Sequence, residues 1–253
     1  MVKNMKNHKT RKFGERAYIL ELGDFSIGKF MLYDGHYSLP LKGHVISHEK
    51  VFTLNKAMKL LESEGFRVAS AEEVAQARIE GEGQFAEGGL TKEALIYFSD
   101  GKLMMTKDSP IFGNIGIIHE LTNEDFYRYG HVYDPSQNKK YLKNAVQLDP
   151  KELIPYEDSL RDEFMIPAEK LDTVGITSFL LGDVANEYGR FLKKRGIEGI
   201  TLNDASVVLT KDRIGDPATV HQGEVGALRE NKVIMGFSGT IYHDPRVLFI
   251  KPR

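Results

Sequence analysis

Two stretches of this chain read as a helix closed by a glycine and followed at once by a strand, a unit that binds helix and strand to one core. In the first, Thr53 suits an N-cap, and Leu54, Ala57, Met58 and Leu61 recur on one helical face. Gly65 ends the helix, and Phe66, Arg67 and Val68 begin a strand. In the second, Leu181, Val184, Ala185, Tyr188, Phe191 and Leu192 form the apolar face. Lys193, Lys194 and Arg195 load the last turn, where cations suit the helix dipole, and Gly196 precedes a strand over residues 197–202. The loops around the two units differ in length, so an internal repeat does not follow.

Other signals fill in the pattern. Ser70 and Glu73 form a capping box that opens a short helix from Ala71 to about Arg78. Residues 94–99 and 103–106 flank Asp100-Gly101-Lys102, a strong short hairpin signal. Residues 114–121 read as a strand, and Thr122 with Asp125 caps a helix after it. Between residues 129 and 170, Pro135, Pro150, Pro155 and Pro167 punctuate a weaker pattern, which marks a linker or lobe boundary. Short strands follow at residues 206–210, 232–237 and 247–250. Helices mixed with hairpins point to an α+β fold with mixed or antiparallel sheets, an open α/β fold being the alternative. The expected organisation is a basic arm over residues 1–16, an N-terminal lobe over 17–150 and a C-terminal lobe over 151–253. A single domain would also accommodate this length.

Gly23-Asp24-Phe25-Ser26-Ile27-Gly28-Lys29-Phe30 follows the strand-like run of residues 17–22 and meets every position but the last of the G-x-x-x-x-G-K-[ST] phosphate loop. Phe30 has no hydroxyl for Mg²⁺, and Phe30-Met31-Leu32-Tyr33 has the character of a strand, whereas a phosphate loop opens a helix. A β-hairpin whose glycines serve the turn is the expectation.

At 41% hydrophobic and 28% charged residues the composition is that of a globular protein. No run is apolar enough for a membrane span or a signal peptide, so a soluble cytoplasmic protein without membrane contact is expected. The absence of cysteine rules out disulfides, thiolate metal sites and cysteine nucleophiles. The net charge of −2 conceals an asymmetry: residues 1–16 hold six Lys/Arg and one acid, leaving 28 basic against 35 acidic residues in the body. Such an arm suits nucleic acid or an acidic partner surface, whereas an acidic body is not that of a dedicated DNA-binding fold. Tyr127, Tyr129, Tyr133 and Tyr141, interleaved with Arg128, His131, Lys139, Lys140 and Lys143, suit a protein interface, and less so single-stranded nucleic acid.

Asp34, His36, His44, His48 and Glu49 make the densest set of hard metal ligands in the chain. The four-residue spacing puts His44 and His48 on one side of either a helix or a strand, so the set suits a divalent metal held by imidazoles and a carboxylate. His119 and Glu120 close an apolar strand ahead of a capped helix, the place for an acid/base pair beside an anion-holding helix terminus. His131, His221 with Glu224, and His243 with Asp244 are further candidates. The glycine-rich residues 80–89 carry three glutamates and no cation, which suits a surface loop or lid and not a phosphate cradle. Two functions fit this inventory. One is an enzyme using histidine and carboxylate chemistry, metal-assisted or not, on a small polar or phosphorylated substrate. The other is a non-catalytic assembly or binding protein, a homo-oligomer included, with contacts through the basic arm and the Tyr-rich segment.

Overall fold

The computed structural model describes residues 17–22, 30–33, 40–41, 44–45, 61–63, 65–81, 86, 88–98, 100, 102–113, 131–133, 139–148, 165–202, 218–229, 233–238 and 246–251. Its strands are β1 (Ala17–Leu22), β2 (Phe30–Tyr33), β3 (Pro40–Leu41), β4 (His44–Val45), β5 (Arg67–Val68), β6 (Gly89–Tyr97), β7 (Leu103–Thr106), β8 (His131–Tyr133), β9 (Val146–Gln147), β10 (Met165–Pro167), β11 (Gly199–Leu202), β12 (Ala218–Val225), β13 (Val233–Ser238) and β14 (Arg246–Ile250). The α-helices are α1 (Ala71–Ile79), α2 (Pro110–Gly113), α3 (Gly175–Leu181) and α4 (Ala185–Lys194).

Twelve strands form one sheet whose main path runs β10-β11-β13-β12-β6-β14-β1-β2, with β5, β7, β8 and β9 attached beside it; β3 and β4 pair separately. The pairs β11–β13 and β14–β6 are parallel and the others antiparallel. Helices gathered against a mixed sheet make this an α+β fold.

The glycine-closed helices end alike. Gly65 N–H donates to the Glu62 carbonyl and Phe66 N–H to the Leu61 carbonyl; Gly196 and Ile197 repeat the pattern on Lys193 and Leu192. Both glycines have positive φ, 83° and 76°. These are Schellman motifs, and each brings its accompanying apolar contact, Phe66 with Leu61 and Ile197 with Leu192, into the core. The capping box also forms as expected. Ser70 Oγ accepts from Glu73 N–H, and the Glu73 carboxylate accepts from Ser70 N–H.

In the second unit the apolar face belongs to two helices, not one. α3 ends at Leu181, a 3-10 turn spans Gly182–Val184, and α4 starts at Ala185. Gly182 breaks the run by leaving the helical region, at φ 53° and ψ −134°. The strand after Gly196 starts at Gly199, two residues later than the sequence suggests, because the Schellman turn consumes Ile197.

The near-miss phosphate loop lies between paired strands. β1 and β2 are antiparallel, with Leu22 opposite Phe30, so Phe30 begins a strand and no helix. The Asp-Gly hairpin forms between β6 and β7 with Tyr97 opposite Leu103. Phe98 N–H donates to the Lys102 carbonyl, and Lys102 N–H to the Asp100 carboxylate.

One face of the sheet packs on the helices. Leu95, Met105, Ile166, Ile200, Val233, Met235 and Phe237 meet Val74 and Ala75 of α1, Ile176 and Leu180 of α3, and Tyr188 and Leu192 of α4. On the other face Ala94, Ile96 and Val220 are covered by Phe98, Phe112 and Leu142. No helix among the described residues is long and apolar enough to cross a membrane.

Candidate functional site

Most of the residues singled out for chemistry lie outside the described part of the chain: Asp34, His36, His48, Glu49, His119, Glu120, His243 and Asp244. His44 falls in β4, opposite Leu41 of β3. His131 opens β8 and pairs with Val220. His221 is buried in β12, opposite Leu95, and Glu224 is half-buried beyond it. Among the described residues no three His, Asp or Glu side chains are gathered as a metal centre would require. Tyr141 is half-buried in a 3-10 turn under the Lys140 ammonium, which stands 4.7 Å from its ring.

Two arrangements emerge that the sequence reading did not isolate. The first is a buried polar knot where β12 meets β6. Gln222 lies opposite Ala94 and Glu224 opposite Leu90, so the single residue Gly223 faces Thr91, Lys92 and Glu93 of a bulged β6, whose Thr91 and Glu93 carbonyls lose their regular ladder donors. The Gln222 side chain replaces them. Its Nε2 donates to both carbonyls, at 2.7 Å for Glu93, while Ser109 Oγ donates to its Oε1 at 2.6 Å. Glycine is required at the bulge because a Cβ there would stand 2.8 Å from Thr91 Oγ1 and 2.9 Å from the Glu93 carbonyl.

Glu93 sits beneath the knot with no solvent exposure. Both of its carboxyl oxygens face the N–H of Ala71, the first residue of α1, at 3.1 and 3.2 Å. Burial pushes the carboxyl above the usual glutamate range, and Thr91, its own N–H, Ala71 N–H and the Lys107 charge offset only part of that rise. At the far end of α1, the buried Arg78 ties the helix to its neighbours. Its Nη1 donates to Tyr188 Oη of α4 at 2.8 Å and its Nη2 to the Gly226 carbonyl at 2.6 Å. At the near end Arg67 forms a two-pronged ion pair with Glu73. Burial raises the Glu73 carboxyl, but the hydrogen bonds from Arg67 and Ser70 and the Arg67 charge outweigh it, leaving Glu73 below its usual range.

The second arrangement lies on the outside of the sheet. Met165 of β10 pairs with Thr201 of β11, and Thr201 with Ile234 of β13, so the three form one row across the wing. The adjacent row, Ile166, Ile200 and Val233, belongs to the helix-covered core. Strand alternation therefore turns Met165, Thr201 and Ile234 to the opposite face. Met165 is 36% exposed and Ile234 37%, whereas the apolar side chains of the same face around Ile96 are covered. Side chains on the outer face of this wing thus make an open apolar strip roughly 10 Å across, from two strand spacings.

The sequence offered a partial signal for the first arrangement only. Gly223 within the strand-like His221-Gln222-Gly223-Glu224 marks a bulge, although the polar neighbours hid the strand itself. The exposed strip depends on which strands pair and could not be read from local pattern.

No family model and no curated protein sequence matches the chain. It is similar to a solved structure described by the words "Accommodation of massive sequence variation in Nanoarchaeota by the C-type lectin fold", at 15% identity and a TM-score of 0.45. The match covers 76% of this chain and 92% of that one.

Proposed function

We propose that this protein is a non-catalytic assembly module that binds a second copy of itself through the outer face of the β10–β11–β13 wing. The observation that carries this reading is the exposure of Met165 and Ile234 on either side of a half-buried Thr201, which leaves apolar surface open on a sheet whose opposite face is buried. Methionine and isoleucine flanking a threonine give such a strip an adaptable apolar centre. Charge supplies the argument for a like partner. The arm of residues 1–16 carries five net positive charges and the rest of the chain seven net negative ones, so the arm of one copy is attracted to the body of another. Pro167, which has no N–H, blunts β10 as an edge for strand addition and favours docking on the face over lengthening of the sheet.

Light scattering on the full chain and on a chain lacking residues 1–16, each at low and high salt, tests the reading. The full chain is expected to form a dimer that high salt weakens, and the shortened chain to dimerise less tightly. A full chain that stays monomeric at every concentration overturns the proposal.

A histidine and carboxylate enzyme is the second reading, and the spacing of Asp34, His36, His44 and His48 is what favours it. Elemental analysis of the purified protein decides it: stoichiometric divalent metal that is lost in His36→Ala and His44→Ala supports it, and metal-free protein after loading counts against it.

A further inference from the structure

We propose that Glu93 is held as a neutral carboxylic acid in the folded protein and that release of its proton loosens α1 from the sheet, so that the contact between α1 and β6 is a proton-linked latch. The carboxyl is fully buried; its two oxygens share the N–H of Ala71, and the Thr91 hydroxyl and the N–H of Glu93 itself are the other donors that act on it. A few neutral donors are a poor substitute for the hydration of an ionised carboxylate. Beside it lies the Thr91 hydroxyl, buried and without a well-aligned hydrogen bond. A protonated Glu93 gives Thr91 Oγ1 a donor and keeps its other oxygen for Ala71 N–H, which satisfies all three groups.

The surrounding cations are engaged elsewhere. Lys107, whose charge reaches Glu93, donates to the Phe179 carbonyl near the end of α3 and stands 4.6 Å from the Phe179 ring. Arg67 of β5 is paired with Glu73, and Lys92 of β6 lies 3.9 Å from Asp108. Arg78 of α1 is bonded to Tyr188 and Gly226. The remaining charged or titratable groups of α1 and β12 are Glu72 and, on β12, His221 and Glu224. Among the described residues no cation is bonded to the Glu93 oxygens, so the N-terminus of α1 is the principal favourable field for the ionised form.

Burial raises the folded-state pKa above the unfolded one. The stability that Glu93 contributes is therefore complete below its ordinary value of 4.5 and is lost as pH rises through the folded value. Urea unfolding of wild type and Glu93→Gln across pH tests the proposal. The neutral amide mimics the acid, so the folding constant of wild type should fall relative to the variant by about tenfold per pH unit between those two values. Parallel profiles overturn the proposal. Infrared spectra of wild type with isotope-labelled glutamate test it without a substitution. A protonated carboxyl band persisting above pH 4.5 is expected, and a fully ionised glutamate spectrum in the folded protein at neutral pH overturns it. Amide exchange at Ala71 should also accelerate as that band disappears. If the exchange follows only the chemical rate, the link to α1 fails.

Discussion

Replacing Gln222 with methionine isolates the hydrogen bonds of the bulge from its packing, because the two side chains have similar volume and shape. The amide donates to the Thr91 and Glu93 carbonyls and accepts from Ser109 Oγ, and both Gln222 and Ser109 are buried. Methionine would remove the amide donor from the two carbonyls and the acceptor from Ser109 Oγ, and a buried group left unmatched costs about 1–3 kcal/mol. Relaxation and partial re-pairing reduce the total, so the expected loss is roughly 3–5 kcal/mol, on the order of 10 °C in Tm for a chain of this size. Ser109→Ala leaves Gln222 Oε1 without this donor and should cost about 1–2 kcal/mol. Because both changes disrupt one network, the double variant should lose less than the two losses combined. Urea denaturation followed by circular dichroism reads all three. A Gln222→Met loss below about 1 kcal/mol would refute the view that this side chain replaces the missing ladder.

Further consequences concern the same helices and strands. Arg78→Met removes charged donors from Tyr188 Oη and the Gly226 carbonyl and should cost roughly 3–5 kcal/mol by the same assay, with Tyr188→Phe costing about 1–2 kcal/mol. Gly223→Ala forces a methyl group to within 2.8 Å of Thr91 Oγ1, and a destabilisation of about 1–3 kcal/mol in thermal unfolding is expected. Glu73 titrates opposite to Glu93. Its folded pKa is depressed, so its contribution is present above the ordinary value of 4.5 and is lost as pH falls through the folded value. Glu73→Gln should accordingly flatten the acid limb of the stability profile, and an unchanged acid limb would contradict the assignment.

Local chemistry made much of the fold legible. Gly65 and Gly196 announced helix ends because positive φ favours glycine, and Ser70 with Glu73 announced a helix start because each satisfies the other's backbone. Asp100-Gly101 announced a hairpin for a similarly local reason. β12 escaped notice because His221, Gln222, Gly223 and Glu224 interrupt its apolar pattern, and β10 because it is three residues long and ends in Pro167. The polar knot is a product of long-range pairing: Gln222 acts on carbonyls of residues 91 and 93, and Ser109 arrives from a third segment. The same holds for the exposed row, since Met165, Thr201 and Ile234 become neighbours only through strand order.

Sedimentation velocity of wild type and Ile234→Lys bears most directly on the assembly reading. Ile234 is 37% exposed and points away from the helix-packed core, so a lysine there should leave the fold intact and place a charge on the docking face. The account predicts a wild-type species of twice the chain's 28.6 kDa and a monomeric variant with an unchanged circular dichroism spectrum. A wild-type monomer, or a variant that dimerises as tightly as wild type, would contradict it.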